Sequence, residues 1–316
     1  MRLVIDTDTA SDDAVALMLA CAADVAIEAV TVVAGNVPVE LGTRNALSAL
    51  ELCGADVPVY VGQTQPLTRP LQTAQHVHGS DGMGDSQLPA PQGAPRDADA
   101  VDVLVDLPGR YPGAVTLVTL GPLTNLARAL ERDPACLGKY RAIYCMAGTL
   151  GRGNITQQAE YNLWCDPEAA ALVLESGIPL TFIGCDAARD FSGLSSDRLD
   201  RWRALASPRA DFAIAVTRGA VRWYSDRGLH GNADLPDPLA MAVALDPTIV
   251  TRSETVHAEV ALYDSFRGKL VIHPDAAPTR RSVTMVTAVD TGAFWSMVDS
   301  MVEGHDQPSS IGRPTP

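Results

Sequence analysis

Short apolar runs alternate, through the first half of the chain, with stretches whose apolar positions recur every three or four residues. The runs at 3–5, 26–33, 57–61, 114–120, 142–146 and 180–183 predict strands. Helical spacing follows the first of them, beginning with Val15, Leu17, Met18 and Leu19, and returns near 40–52, 99–109, 122–132 and 166–176. Strand-helix alternation of this kind predicts an α/β fold with an open, mostly parallel, doubly wound sheet. Beyond Asp186 the pattern turns helical over 195–205, 208–224 and 237–245. Strand-like runs then follow at 255–263, 269–273 and 282–288, with a last helix at 291–302. This C-terminal portion is expected to lie over the carboxyl ends of the strands. Positions 63–97 have no periodicity and read as a long loop, a length that usually carries function. One domain over 1–303 is expected, with 304–316 as a disordered tail.

In open α/β sheets the ligand site lies outside the carboxyl ends of the strands, and the polar clusters of this chain fall there. Asp6, Asp8, Asp12 and Asp13 follow the first strand, Asn36 the second, Gly121 to Asn125 the fourth and Gly148 to Asn162 the fifth. Ser11 and Asp12 are placed to cap the first helix, and acids in its first turn suit the helix dipole. Capping needs one or two such residues, whereas four carboxylates packed together repel one another unless a cation sits among their oxygens. A hard-cation site is the reading that accounts for all four. It is not an EF-hand, because the sixth loop position lacks Gly and the twelfth lacks Glu. The same stretch also fits the D-x-D-x-T nucleophile of haloacid-dehalogenase-like phosphatases. That scheme makes no use of Asp12 and Asp13, and it needs a downstream Lys and acidic pair that the chain does not display.

The stretch with Asn154, Glu160 and Asn162 carries polar side chains that could converge on a polyol such as a sugar, whereas Asn36 in AGNV could simply hold a turn and Asp237 at a helix entry could be a cap or a distal ligand of the cation. His78 lies in the long loop among Gly79, Gly82 and Gly84, which suggest a flexible lid.

Composition narrows the partners. A net charge of −14 with no basic run argues against nucleic acid or an anionic membrane. No apolar run reaches spanning length, and no cleavable leader precedes the first strand. The six cysteines lack CxxC spacing and read as buried, reduced residues of a cytoplasmic protein.

Taken in order, the D-x-D-x-x-x-D-D opening, AGNV, LGPLTN, N-x5-E-x-N, DPEAA and DPLA resemble the nucleoside hydrolase family, the inosine-uridine-preferring ribohydrolases. VALYDSFRGK and MVTAVDTGAF, nearer the C-terminus, fit as well. The resemblance implies hydrolysis of a ribonucleoside to ribose and free base by a homodimer or homotetramer. It implies a calcium ion held by Asp8, Asp13, the Leu120 carbonyl and Asp237, with Asp8 as the base that deprotonates water. Asp12, Asn154, Glu160 and Asn162 would hold the ribose, Asn36 would support both catalysis and sugar binding, and His78 would reach the sugar or base. One departure stands out. The inosine-uridine group commonly has His immediately before the ligand Asp, to protonate the departing base. Here that position is Pro236, which carries no proton to give. His230, in GLHGN, is the candidate replacement acid, and Trp223 and Tyr224 are candidates to meet the base. A catalytically impaired nucleoside-binding protein is the alternative that Pro236 raises.

Overall fold

The structure, a computed structural model, describes residues 1–228, 233–273 and 282–304. Its first half alternates strands and helices: β1 (Arg2–Thr7), α1 (Ser11–Ala22), β2 (Ala26–Val32), α2 (Val39–Leu52), β3 (Val59–Val61), α3 (Gln75–His78), α4 (Ala100–Arg110), β4 (Val115–Thr119), α5 (Thr124–Arg132) and β5 (Ala142–Met146). Then come α6 (Tyr161–Cys165), α7 (Pro167–Glu175), β6 (Leu180–Ile183), α8 (Cys185–Phe191), α9 (Ser196–Leu205), α10 (Pro208–Asp226) and α11 (Pro236–Leu245). The chain ends with β7 (Val250–Val260), β8 (Leu270–Ile272), β9 (Ser282–Val289) and α12 (Thr291–Glu303). The strands form one sheet in the order β3-β2-β1-β4-β5-β6-β9-β7-β8, parallel from β3 to β9 and antiparallel at β7 and β8.

Strand β1 shows why the sheet is covered on both sides. Leu3 and Ile5 point into one apolar core with α1, α2, α11 and α12, while Val4 points into the other with α4, α5 and α7. Helix α11 is buried over Asp237–Ala244, as expected of a helix apolar all round. Both edge strands, β3 and β8, are only three residues long, which limits edge-to-edge pairing.

The expected α/β sheet is therefore present, with three local differences. Strand β7 starts at Val250, five residues before the apolar run, because its first residues are polar and exposed. The long loop contains the one-turn helix α3. Short helices α6 and α8 were not expected, since five and seven residues hold too few apolar positions to show a period. Gly304 caps α12 in the left-handed conformation, and the rest of the expected tail lies outside the described residues. No helix among the described residues is long and apolar enough to cross a membrane.

Candidate active site

The chain leaves β1 for β2 on one side of the sheet, and β4 flanks β1 on the other. That reversal opens a crevice at the carboxyl ends of β1 and β4, and the acidic cluster occupies it. Asp8, Asp12, Asp13 and Asp237 are all buried. Carboxylate oxygens of Asp12, Asp13 and Asp237 lie within 4.8 Å of one another. Asp8 is close enough to Asp13, Asp12 and Asp237 for like-charge repulsion to act on it. Burial first, and then that repulsion, push the carboxyls of Asp8 and Asp237 well above the usual range. Asp12 is pushed up to about 6, chiefly by burial.

Backbone and hydroxyl donors fix the cluster. Asp8 Oδ2 accepts the Asn36 N–H at 2.5 Å, so the backbone of Asn36 supports the site. Asp13 accepts Thr7 Oγ1 at 2.5 Å and the Ala10 N–H at 2.9 Å. The helix cap is therefore Ala10, with Asp13 reaching back to it, rather than Ser11 or Asp12; those two are the first two residues of the helix itself. Asp6 lies beneath, held by Thr31 Oγ1 at 2.6 Å and Asn125 Nδ2 at 2.8 Å, and burial raises it to about 7. Asp12 and Asp237 share a hydrogen bond.

The donor set suits a hard divalent cation. Asp8 Oδ1, Asp12 Oδ1 and Asn162 Oδ1 are buried with no hydrogen-bond partner among the described residues. Unpartnered anionic oxygens at such depth are costly, and a cation that takes oxygen ligands removes the cost. The Leu120 carbonyl accepts Asn162 Nδ2 at 2.7 Å and keeps a second lone pair. Asp12 sits beside Asp13 and Asp237 in the close cluster and also lines the cavity above it.

A cavity of about 190 Å³ opens above the cluster. It is lined by Asp12, Asn36, His78, Leu120, Asn154, Glu160, Asn162, Trp223, Tyr224 and Asp237, so residues from distant parts of the chain meet there. Glu160 caps α6: its carboxylate accepts the N–H groups of Asn162, Leu163 and Gly148 at 2.6–3.1 Å, and burial raises it to about 7. Asn154 Oδ1 accepts the Tyr161 N–H at 2.8 Å. His78 Nδ1 lies 2.6 Å from Ser11 Oγ and 3.7 Å from Asp12 Oδ1, and burial lowers it to about 4. In its loop Gly79, Gly82 and Gly84 supply positive φ, and Arg218 of α10 donates to the Gly84 and Asp85 carbonyls. Pro236 lines the cavity. His230 lies outside the described residues.

Sequence reasoning missed three contributors. His76 sets its ring against Trp223 at 6.5 Å, Asp234 borders the cavity, and Ser11 holds His78. A lone polar residue in an aperiodic stretch gives no signal of its own. Asp166, expected only as a helix start, also ties the long loop down by accepting the Leu67 N–H and Thr124 Oγ1.

A family model described as "Inosine-uridine preferring nucleoside hydrolase" matches residues 3–296. An uncharacterized protein of Schizosaccharomyces pombe is 36% identical over 303 residues, covering 94% of this chain and 97% of its own. The pyrimidine-specific ribonucleoside hydrolase RihA of Enterobacter sp. is 38% identical over 260 residues, covering 79% and 81%. Among solved structures, a purine-preferring ribonucleoside hydrolase from Gardnerella vaginalis superposes with a TM-score of 0.90 at 30% identity, over 96% of this chain and 98% of that one.

Proposed function

The chain belongs to the inosine-uridine preferring nucleoside hydrolase family, and from that premise we propose that it hydrolyses the N-glycosidic bond of ribonucleosides to ribose and free base, with calcium as its resident ion. The observation that carries the reading is the pair of buried carboxylate oxygens without a hydrogen-bond partner, one on Asp12, which lines the cavity, and one on Asp8 in the adjoining acidic cluster. Asp8, Asp13, the Leu120 carbonyl and Asp237 would hold the ion. When bound, calcium neutralises the carboxylates and polarises the attacking water.

The remaining chemistry belongs to the side chains. Asp8, fixed by the Asn36 N–H, takes the proton of the attacking water as general base. Asp12, Asn154, Glu160, Asn162 and His78 orient the ribose, which lowers the entropic part of the barrier. Bond cleavage develops positive charge on the sugar ring, and the carboxylates beneath it stabilise that charge only as it forms. Trp223 and Tyr224 form the wall that meets the base. The relatives named above differ in base preference, and this wall is where such a preference is set.

The test is a panel of inosine, uridine, cytidine, adenosine and guanosine, with and without chelator. Release of reducing sugar that chelation abolishes is expected. No release from any of the five, with calcium present, overturns the proposal. Pro236 in the cavity wall favours a second reading, a nucleoside-binding protein without turnover. Calorimetric nucleoside binding with no sugar release would favour it. Assembly as a homodimer or homotetramer is part of the same family-based reading, to be decided by sedimentation.

A further inference from the structure

A base that leaves carrying the electron pair of the broken bond departs faster when it is given a proton. Position 236, a proline, has none to give, yet beside Glu160, whose carboxylate is taken up by three backbone N–H groups, a second carboxyl outside the acidic cluster borders the same space. Asp234 lines the sugar cavity and also an adjoining chamber of about 470 Å³, with Tyr224, Trp223 and Pro236 common to both. Its backbone is anchored on both sides: the Leu194 N–H donates to the Ala233 carbonyl at 2.9 Å, and the Leu235 N–H donates to Ser192 Oγ at 3.0 Å. The Tyr224 hydroxyl donates to Asp234 Oδ2 at 3.3 Å.

We infer that Asp234, held by the Tyr224 hydroxyl, is the acid that protonates the departing base. The inference rests on the hydrolase reading above. Burial raises the Asp234 carboxyl to about 6, which supports a proton-donor role near neutral pH. Arg189 and Tyr224 act against that rise, while Asp190 and Asp12 add to it. His78 is a poorer donor, because burial keeps its ring neutral and Ser11 occupies Nδ1. In the step, the C1′–N bond breaks and its electron pair passes to the base, which takes the Asp234 proton on a ring nitrogen or carbonyl oxygen. Water oxygen bonds to C1′ and its proton goes to Asp8. Asp8 then returns a proton to solvent and Asp234 regains one, so each turnover consumes one water.

A substrate whose leaving group needs no proton separates this role from the rest of the reaction. Asp234→Asn should lower kcat on the nucleosides by about 10²- to 10⁴-fold, but on 4-nitrophenyl β-D-ribofuranoside by less than about fivefold. Tyr224 is a positioning residue. Tyr224→Phe removes a donor that favours the ionised carboxylate, so the alkaline limb of kcat/KM should move to higher pH. Equal losses on both substrates in Asp234→Asn, or an unmoved limb in Tyr224→Phe, overturn the assignment. So does a nucleoside-selective loss found in His76→Gln or His230→Gln and not in Asp234→Asn. If the unmodified enzyme cleaves neither nucleoside nor nitrophenyl riboside, the hydrolase reading itself fails.

Discussion

A Cβ built on Gly35 would stand 2.1 Å from Asp8 Oδ2, so the Asp8 carboxylate occupies the space that any side chain at position 35 would need. Gly121 closes the other side, where a Cβ would meet Asp8 Oδ1 at 2.9 Å. Two glycines from different loops thus leave room for one carboxylate.

Gly35→Ala should push Asp8 out of position. Overpacking of this kind costs about 1–3 kcal/mol of stability. The larger effect is expected in kcat and calcium affinity, each falling by about 100-fold as the base moves off its geometry. Calcium titration and steady-state kinetics on one preparation check both.

Asp8→Asn separates charge from shape. The amide can still accept the Asn36 N–H but cannot take a proton from water, so kcat should drop by about 10²- to 10⁴-fold. Burial already disfavours the Asp8 charge, so the melting temperature of chelated protein should stay level or rise. A fall of several degrees would mean that the ionised form is structural.

The pH dependence of the chelated protein has a definite sign. Burial raises Glu160 from 4.5 to about 7 and Asp234 from 3.8 to about 6, and the clustered aspartates shift the same way. The folded chain therefore binds more protons than the unfolded one between about pH 4 and 7, and stability falls as pH rises through that window. His78, lowered from 6.5 to about 4, opposes this. One imidazole does not outweigh several carboxyls. Chelated protein should melt at least about 3 °C higher at pH 5 than at pH 8, as scanning calorimetry would record.

Calcium should reverse much of that loss. At a hundredfold excess over Kd, binding adds about 2.7 kcal/mol, worth about 4 °C in a chain of this size. The gain should be larger at pH 8 than at pH 5, because the ligands must be deprotonated to bind. An equal gain at both pH values would place the ion elsewhere.

Asn125→Ala should weaken the floor beneath the cluster. Asn125 donates to Asp6 Oδ1 and the Val32 carbonyl and accepts the Gln63 N–H. Its loss leaves buried groups unpaired at about 1–3 kcal/mol, measurable by urea unfolding.

The central sheet was legible because buried parallel strands are apolar end to end, as in Val4 and Val118. Asp8, Asp12 and Asp13 stood out because that density of charge has no other inexpensive use. Asp237 did not stand out by itself: one acid before a helix reads equally as a cap, and only the family resemblance placed it. Glu160 shows the converse, since its carboxylate caps α6 as well as facing the cavity. The first half of β7 and the position of Asp234 were illegible for a shared reason. Exposed or isolated polar residues carry no periodicity, and tertiary structure alone gives them a place.

The cavity draws its two walls from different parts of the fold. Asp12 and Asp237 ride on α1 and α11, which pack in the sheet's own core, whereas Trp223 and His76 come from α10 and α3 at the margin. On the proposed reading, substitutions at Trp223 and His76 would alter which nucleobase is accepted and leave the proposed bond-breaking residues in place. A lineage built this way can diversify its diet while inheriting its chemistry intact.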